Sequence, residues 1–141
     1  MQINIALLTV TDTKSIETDK SGAILVKKIN EQNHKLISRK IVRDEKELIK
    51  KILYEWIKKD NIDVIITTGG TGLTGRDITP EAIKDIADKE IPGFGELFRE
   101  LSYKTIGTSS MQSRACAVLA NGKYIFALPG SSGGVTDAWD G

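Results

Sequence analysis

Residues 62–81 read IDVIITTGGTGLTGRDITPE, and this stretch decides the fold class. The apolar run from Ile62 to Ile66 predicts a buried strand. Four glycines, an acidic residue and the helix start Thr79-Pro80-Glu81 follow that strand. A buried strand that passes through a glycine-rich loop into a helix is typical of an open α/β sheet, in which ligands bind at the carboxyl ends of the strands.

The glycine loop has the chemistry of an anion site, because glycine lets backbone N–H groups approach a ligand and the next helix N-terminus adds positive potential. It lacks the Gly-Lys-Ser/Thr ending of a Walker A loop, and its glycine spacing does not fit the dinucleotide fingerprint. Such a loop is structural about as often as it binds a ligand. A second glycine loop, residues 129–134, also follows an apolar strand, and it favours the binding interpretation because both loops would line one edge of a parallel sheet.

The remaining chain predicts alternating strands and helices. Strands are predicted at residues 3–10, 35–42, 61–68, 115–119 and 124–128, and the second lies nearer an edge because its pattern alternates. Helices are predicted at residues 21–32, from Asp44 onward, at 79–88 and at 93–103. The helix after Asp44 has an apolar stripe of Leu48, Ile49, Ile52, Leu53, Trp56 and Ile57. This order predicts an α/β fold of three layers, with a doubly wound, mostly parallel sheet between helices.

Composition limits the classes of function. The chain has 141 residues, enough for one domain, and its net charge of +1 gives no field that attracts nucleic acid or a membrane. The single cysteine, Cys116, excludes an internal disulfide and is predicted to be a small buried side chain, while the single histidine, His34, is predicted to lie in a surface turn. Neither a signal peptide nor a membrane-spanning run is evident, so a cytoplasmic protein is expected.

Carboxylates follow the predicted strands at four positions and would meet at one edge of the sheet: Asp12, Asp19, Asp44 and Asp77. Asp77 is either a turn carboxylate or a Mg²⁺ ligand, since a carboxylate beside a phosphate cradle would otherwise repel the phosphate. Asp44 fits a helix N-cap with Glu47 at the third helical position, and Asp19 fits a cap of the helix near Ser21, so capping alone accounts for either. Carboxylates gathered around anion-binding loops indicate metal-assisted phosphate chemistry. Arg114 pairs either with a phosphate or with a core carboxylate.

Taken together, these motifs resemble the MoaB/Mog family of molybdenum cofactor biosynthesis over the whole chain. The matching segments are LTVTD (8–12), DKSG (19–22), VRDE (42–45), TGGTGLTGRDITPEA (68–82), PGFGELFR (92–99), QSRA (112–115) and LPGS (128–131). The long glycine motif with its RDITPE tail is specific to that family. The segment IGTSSMQSR (106–114) looks more like the MoaB branch than the Mog branch.

The resemblance implies an α/β domain that binds molybdopterin and a nucleotide, with Mg²⁺ as cofactor and with ATP and molybdopterin as substrates. Active members of the family transfer an adenylyl group from Mg-ATP to the terminal phosphate of molybdopterin and release pyrophosphate. The product then passes to a molybdenum-insertion protein, and the active form is implied to be a homotrimer or hexamer. A non-catalytic molybdopterin-binding or carrier protein of the same pathway needs the same pocket, and a purely structural subunit is a third alternative.

The resemblance also implies roles for individual residues. Asp44 and Asp77 match the two family aspartates that are tied to activity, and they are expected to hold Mg²⁺. The expected cofactor-binding positions are Asp12, Gly69, Gly70, Thr71, Gly72, Thr79, Glu81, Ser113, Arg114, Pro129, Gly130 and Ser131. Family members usually continue past the segment that matches Ala138-Trp139, so residues 1–141 are expected to form one MoaB/Mog-like domain whose last helix is cut short.

Overall fold

A computed structural model describes residues 2–12, 15, 17–69, 79–91 and 116–128. Its strands are β1 (Asn4–Val10), β2 (Lys35–Val42), β3 (Val64–Thr68), β4 (Lys89–Glu90), β5 (Cys116–Ala120) and β6 (Lys123–Leu128). Its helices are α1 (Lys20–Glu31), α2 (Lys46–Ile57) and α3 (Thr79–Ile86). The helix predicted at residues 93–103 lies outside the described residues, and so does the last helix, which was expected to be cut short near Ala138-Trp139.

The described strands form one six-stranded sheet in the order β2-β1-β3-β6-β5-β4. Strands β2, β1, β3 and β6 are parallel, whereas β5 runs antiparallel to both β6 and β4. The predicted mostly parallel α/β sheet is therefore confirmed. Strand β2 is the outermost strand on one side of β1, as its alternating pattern indicated. Strand β4 was missed, because two exposed residues carry no periodic pattern.

The chain changes direction across the sheet between β1 and β3. From β1 the chain goes to β2 on one side, and after α2 it returns to β3 on the other side of β1. The carboxyl ends of β1 and β3 therefore flank the topological switch point, which is where open α/β sheets hold their ligands.

Two apolar cores lie on opposite faces of the sheet, as the two-residue period of a strand requires. Ala6, Leu8 and Val10 of β1 face α2 and α3, while Ile5 and Leu7 face α1. The sheet therefore lies between helical layers, which gives the three-layer arrangement expected from the sequence.

The apolar stripe of α2 is narrower than the sequence indicated. Ile49, Leu53, Trp56 and Ile57 are buried, but Leu48 is 38% exposed and lies at the margin of the stripe. The packing role predicted for Trp56 is confirmed, since its side chain is fully buried in the core between α2 and the sheet.

The single histidine and cysteine also differ from expectation. His34 is half-buried, and its Nδ1 accepts a hydrogen bond of 3.0 Å from the backbone N–H of Ile3, so it joins the starts of β1 and β2. Cys116 is half-buried and packs against the core beneath α2 and α3, and it is not fully enclosed. No helix in the described ranges has the length and apolarity needed to cross a membrane.

Candidate active site

The four parallel strands end at the same level, at Val10, Val42, Thr68 and Leu128, and we call this row of strand ends the carboxyl edge. Val10 is level with Val42, and Thr68 is level with both Thr9 and Leu128. Every loop that leaves one of these strands therefore starts from the same side of the sheet, as parallel strands require.

Gly69 begins the glycine loop in a conformation that requires glycine. Its φ is +96°, and a Cβ at this position would lie 2.3 Å from the carbonyl oxygen of Val10. Its backbone N–H donates a hydrogen bond of 2.9 Å to the carbonyl of Leu128. The first residue of the loop is thus held between the ends of β1 and β6, at the switch point.

Asp44 and Asp12 meet at the same edge. The N–H of Thr11 donates to the carbonyl of Val42 at 2.9 Å, which continues the pairing of β1 and β2 past the strand ends. One residue further, Oδ1 of Asp12 accepts a hydrogen bond of 3.1 Å from the backbone N–H of Asp44. Asp44 is 7% exposed, whereas Asp12 is exposed. The structure therefore brings together two residues that the sequence placed in the pocket.

The capping interpretation of Asp44 is wrong. Helix α2 begins at Lys46, its N-cap is Glu45, and no side chain accepts a hydrogen bond there. The N–H of Glu45 instead donates to the carbonyl of Arg43 at 2.7 Å, so Asp44 is the central residue of a γ-turn. Asp44 lies outside the helix because this turn redirects the chain before α2 starts.

Asp19 is a structural cap, which settles the alternative that the sequence left open. Its Oδ1 accepts from the N–H of Gly22 at 3.0 Å, and its Oδ2 accepts from Thr9 Oγ1 at 2.5 Å and from Arg39 at 3.4 Å. The residue is 2% exposed, so these partners replace water for the carboxylate. Asp19 therefore fixes the start of α1. It no longer counts among the carboxylates that the sequence predicted at the site.

Helix α3 packs against α2 and carries Thr79 and Glu81 in its first turn. Thr79 is fully buried and Glu81 is half-buried in the first turn of α3. Asp85 ties the two helices together, because its Oδ2 lies 2.7 Å from Lys46 Nζ and 3.4 Å from Lys50 Nζ. The hydrogen bond from Lys46 lowers the pKa of Asp85, and the same bond raises the pKa of Lys46. No feature of the sequence predicted this contact, because a single sequence does not show which helix faces pack together.

Nine residues assigned to the site lie outside the described residues, so their roles stay predictions: Gly70, Thr71, Gly72, Asp77, Ser113, Arg114, Pro129, Gly130 and Ser131. In the part of the chain that the structure describes, no group of three or more His, Cys, Asp or Glu side chains converges as a metal site. Mg²⁺ needs only one or two protein carboxylates beside substrate phosphates, so the carboxylate of Asp44 is a donor of the right chemistry.

The other ends of the parallel strands carry a different set of polar groups. We call the row of parallel strand starts, at Asn4, Lys35, Val64 and Lys123, the amino edge. An open cavity of about 490 Å³ lies there, lined by Gln2, Ile3, Asp60, Ile62, Asp63, Val64, Asn121, Gly122, Lys123 and Tyr124. None of these residues is a predicted site residue.

Comparison with protein families gives the class to which this geometry belongs. Residues 6–141 match the family model of the probable molybdopterin binding domain. Molybdenum cofactor biosynthesis protein B of Bacillus cereus is 46% identical over 135 residues, which cover 95% of this chain and 80% of that protein. The chain therefore belongs to this family of molybdenum cofactor biosynthesis proteins, and the resemblance inferred from its motifs is confirmed.

Solved structures agree with this assignment. A crystal structure of molybdenum cofactor biosynthesis protein B superposes with a TM-score of 0.96 at 45% identity, covering 99% of this chain and 88% of the other. The tungsten cofactor synthesizing protein MoaB from Pyrococcus furiosus gives a TM-score of 0.88 at 36% identity, covering 99% and 89%. The fold and the MoaB likeness thus rest on structure as well as on sequence.

Proposed function

We propose that this protein binds molybdopterin at the carboxyl edge and adenylylates it with Mg-ATP, releasing pyrophosphate. The observation that carries the proposal is the placement of Gly69, Asp12 and Asp44 along the same carboxyl edge, with Gly69 held against the end of β1 and Asp12 hydrogen-bonded to Asp44. Membership of the molybdopterin-binding family supports the substrate, and the phosphate chemistry of the edge supports the reaction.

The proposed reaction places few demands on acid–base groups. An oxygen of the terminal phosphate of molybdopterin attacks the α-phosphorus of ATP, and the bond between that phosphorus and the oxygen bridging to the β-phosphate breaks. Pyrophosphate leaves with the electron pair of that bond. The nucleophile is already an anion, so catalysis consists of aligning two phosphates and offsetting their charge.

Gly69 and the loop that it starts fit the alignment role. Gly69 itself passes against the Val10 carbonyl without a side chain, and the glycines that follow it in the sequence would let backbone N–H groups come close to a phosphate. Helix α3 starts at the far end of that loop and contributes the positive potential of its N-terminus.

Asp44 fits a role beside the metal that accompanies ATP. A carboxylate that is 7% exposed next to bound phosphates is repelled by them unless a cation lies between. When bound, Mg²⁺ neutralises the charge that builds up on the phosphates. Asp44 with Asp77 would hold it, and the oxygen donors of these residues are the ligands that Mg²⁺ prefers.

The test is pyrophosphate release from molybdopterin, ATP and Mg²⁺, together with calorimetric binding of molybdopterin. Asp44→Asn and Asp77→Asn are expected to lower turnover by about 100-fold or more, as removal of a group that stabilises transition-state charge does. Asp60→Asn is the control, because Asp60 is an exposed carboxylate at the amino edge, and it is expected to match wild type.

Three outcomes separate the alternatives. Turnover that survives in Asp44→Asn would remove Asp44 from the mechanism. Tight molybdopterin binding without pyrophosphate release would show that the protein is a carrier of the same pathway and not an adenylyltransferase. Absence of any molybdopterin binding would leave a structural subunit.

We also propose that the protein acts as a homotrimer or hexamer and passes its product to a molybdenum-insertion protein. Both proposals come from the family resemblance. Light scattering at several protein concentrations tests the assembly, and a stable monomer would contradict it.

A further inference from the structure

We propose that Asp12 is a positioning residue, which holds the backbone of Asp44 in place and does not supply charge to the reaction. The inference rests on the proposed function of Asp44. It assigns Asp12 a role different from that of a ligand-binding residue, which was its expected role from sequence.

The contact between Asp12 and Asp44 extends the hydrogen-bond ladder of β1 and β2 beyond the ends of these strands. Thr11 N–H pairs with the Val42 carbonyl at 2.9 Å, and Asp12 Oδ1 then takes the N–H of Asp44 at 3.1 Å. The side chain of Asp12 thus occupies the position in the ladder where a strand carbonyl would stand. Because Asp44 is central in a γ-turn, fixing its N–H also fixes the direction of its Cα–Cβ bond.

Burial separates the two carboxylates. Asp12 is exposed, so water and salt screen its charge, whereas Asp44 is nearly enclosed. The contact requires an oxygen acceptor at Oδ1, and a neutral amide oxygen meets that requirement as well as a carboxylate does. The contribution of Asp12 is therefore the position of its Oδ1 acceptor, which holds the Asp44 N–H, and its charge is not needed for that contact.

The other end of the same connection is also fixed. Asp19, the cap of α1, accepts a hydrogen bond of 2.5 Å from Thr9 Oγ1, so the start of α1 is tied back to β1. Arg39 of β2 reaches the same carboxylate at 3.4 Å. The connection between β1 and α1 is therefore attached to the sheet at both ends, by Thr11 and Asp12 at its start and by Asp19 at its finish.

The experiment compares Asp12→Asn, which keeps the acceptor and removes the charge, with Asp12→Ala, which removes both. Two quantities are measured in the full chain: kcat and KM with molybdopterin and Mg-ATP, and hydrogen exchange of the Asp44 amide by NMR. Asp12→Ala is expected to lower kcat by about 10-fold or more with KM nearly constant, because misplacement acts on the reacting geometry. Its Asp44 amide should exchange about 10-fold faster or more, while Asp12→Asn keeps the protection and most of kcat.

A matched control exists at the amino edge. Asp63 makes the same kind of contact, because its Oδ2 accepts a hydrogen bond of 2.9 Å from the backbone N–H of Asn4. Asp63→Ala should speed exchange of the Asn4 amide and leave kcat at the wild-type value. A purely structural role for Asp12 would make the two alanine variants alike in kcat.

The outcomes decide the inference. If Asp12→Asn is as inactive as Asp12→Ala, the charge itself is needed and the positioning role is wrong. The same holds if exchange of the Asp44 amide is unchanged in Asp12→Ala. If wild type shows no turnover, the proposed function fails, and the exchange measurement still decides whether Asp12 holds Asp44.

Discussion

The amino edge and the carboxyl edge of the sheet both carry polar side chains, but these side chains have different roles at the two edges. At the amino edge, Lys123 Nζ and Asn121 Nδ2 both donate to the carbonyl of Ile57, at 2.9 Å and 2.7 Å, and so satisfy the last turn of α2. The carboxyl edge carries the hydrogen-bonded pair Asp12 and Asp44 and also Gly69, a glycine whose position admits no side chain.

The direction of the helices accounts for this difference. Helices in a β-α-β unit start above the carboxyl ends of the strands and finish at their amino ends. Unpaired carbonyls therefore collect at the amino edge and unpaired N–H groups at the carboxyl edge. A cation such as Lys123 is stabilised at the first, and an anionic ligand is stabilised at the second. The chain thus completes one edge with its own side chains and leaves the other suited to phosphates.

The largest expected effect contrasts two carboxylates, one at each edge. Asp19→Ala should destabilise the protein by about 3–4 kcal/mol, because it removes the cap of α1 and leaves Arg39, largely buried, without its counter-charge. Asp63→Ala should cost about 1 kcal/mol or less, since its contact is exposed. Urea unfolding measures both. Asp19→Asn, which keeps the acceptor for the Gly22 amide, should fall between wild type and alanine; equal costs for the two alanine variants would remove the contrast.

The next effect compares two glycines with positive φ. Gly69→Ala combines left-handed strain with a backbone atom 2.3 Å from the new Cβ, so we expect a loss of about 2–3 kcal/mol. Gly122→Ala has φ +75° and open space around the Cβ, so only the strain of about 1 kcal/mol applies. Thermal unfolding of the pair isolates the contact with Val10. Similar shifts in Tm for the two variants would show that the backbone at Val10 moves to accommodate the new methyl group.

A smaller effect is expected where two donors share one carbonyl. Asn121→Ala or Lys123→Met alone should cost about 0.5–1 kcal/mol, because the carbonyl of Ile57 keeps the other donor. The double variant leaves that carbonyl unpaired and should cost about 2–3 kcal/mol, more than the sum. A double-mutant cycle by urea unfolding measures the excess. Strict additivity would mean that the two side chains do not replace each other.

The smallest effect concerns the ion pair between α2 and α3. Hydrogen bonding from Lys46 holds the pKa of Asp85 below its ordinary value of 3.8, so Asp85 stabilises the fold above that pH. The contribution is lost as the pH falls through the lowered pKa. Asp85→Asn should therefore be slightly less stable than wild type at neutral pH and should approach it as the pH falls through the lowered pKa of Asp85, with the difference shrinking in high salt. A difference that persists in acid would have another cause.

Much of the fold could be predicted from local patterns. Continuous apolar runs identified β1 and β3, since strands covered on both faces leave no polar alternation. The pair Asn121-Gly122 identified the turn between β5 and β6, and both residues have positive φ in the structure. Leu48 was misplaced because a periodic pattern gives the direction of an apolar stripe more reliably than its width.

The candidate site was predicted as a set of residues and not as a set of contacts. Asp44 and Asp19 both looked like caps, and only the structure shows that Asp19 is one and Asp44 is not. The hydrogen bond from Asp44 to Asp12 joins residues 32 positions apart, and that from Lys50 to Asp85 joins residues 35 apart. Sequence spacing cannot express such pairs, because the order of the strands sets the distances between them.

By itself, the sequence determined the order of the described helices and of every described strand except β4, the start of the glycine loop after β3 and the family to which the chain belongs. These follow from periodicity, from the freedom of glycine and from specific motifs, all of which act over a few residues. The tertiary structure decided which carboxylates support the fold and which lie at the candidate site. It did so because placing β1 between β2 and β3 brings the residues at these strand ends against one another, and the hydrogen bonds made there hold Asp12 at Asp44 and Asp19 at the start of α1.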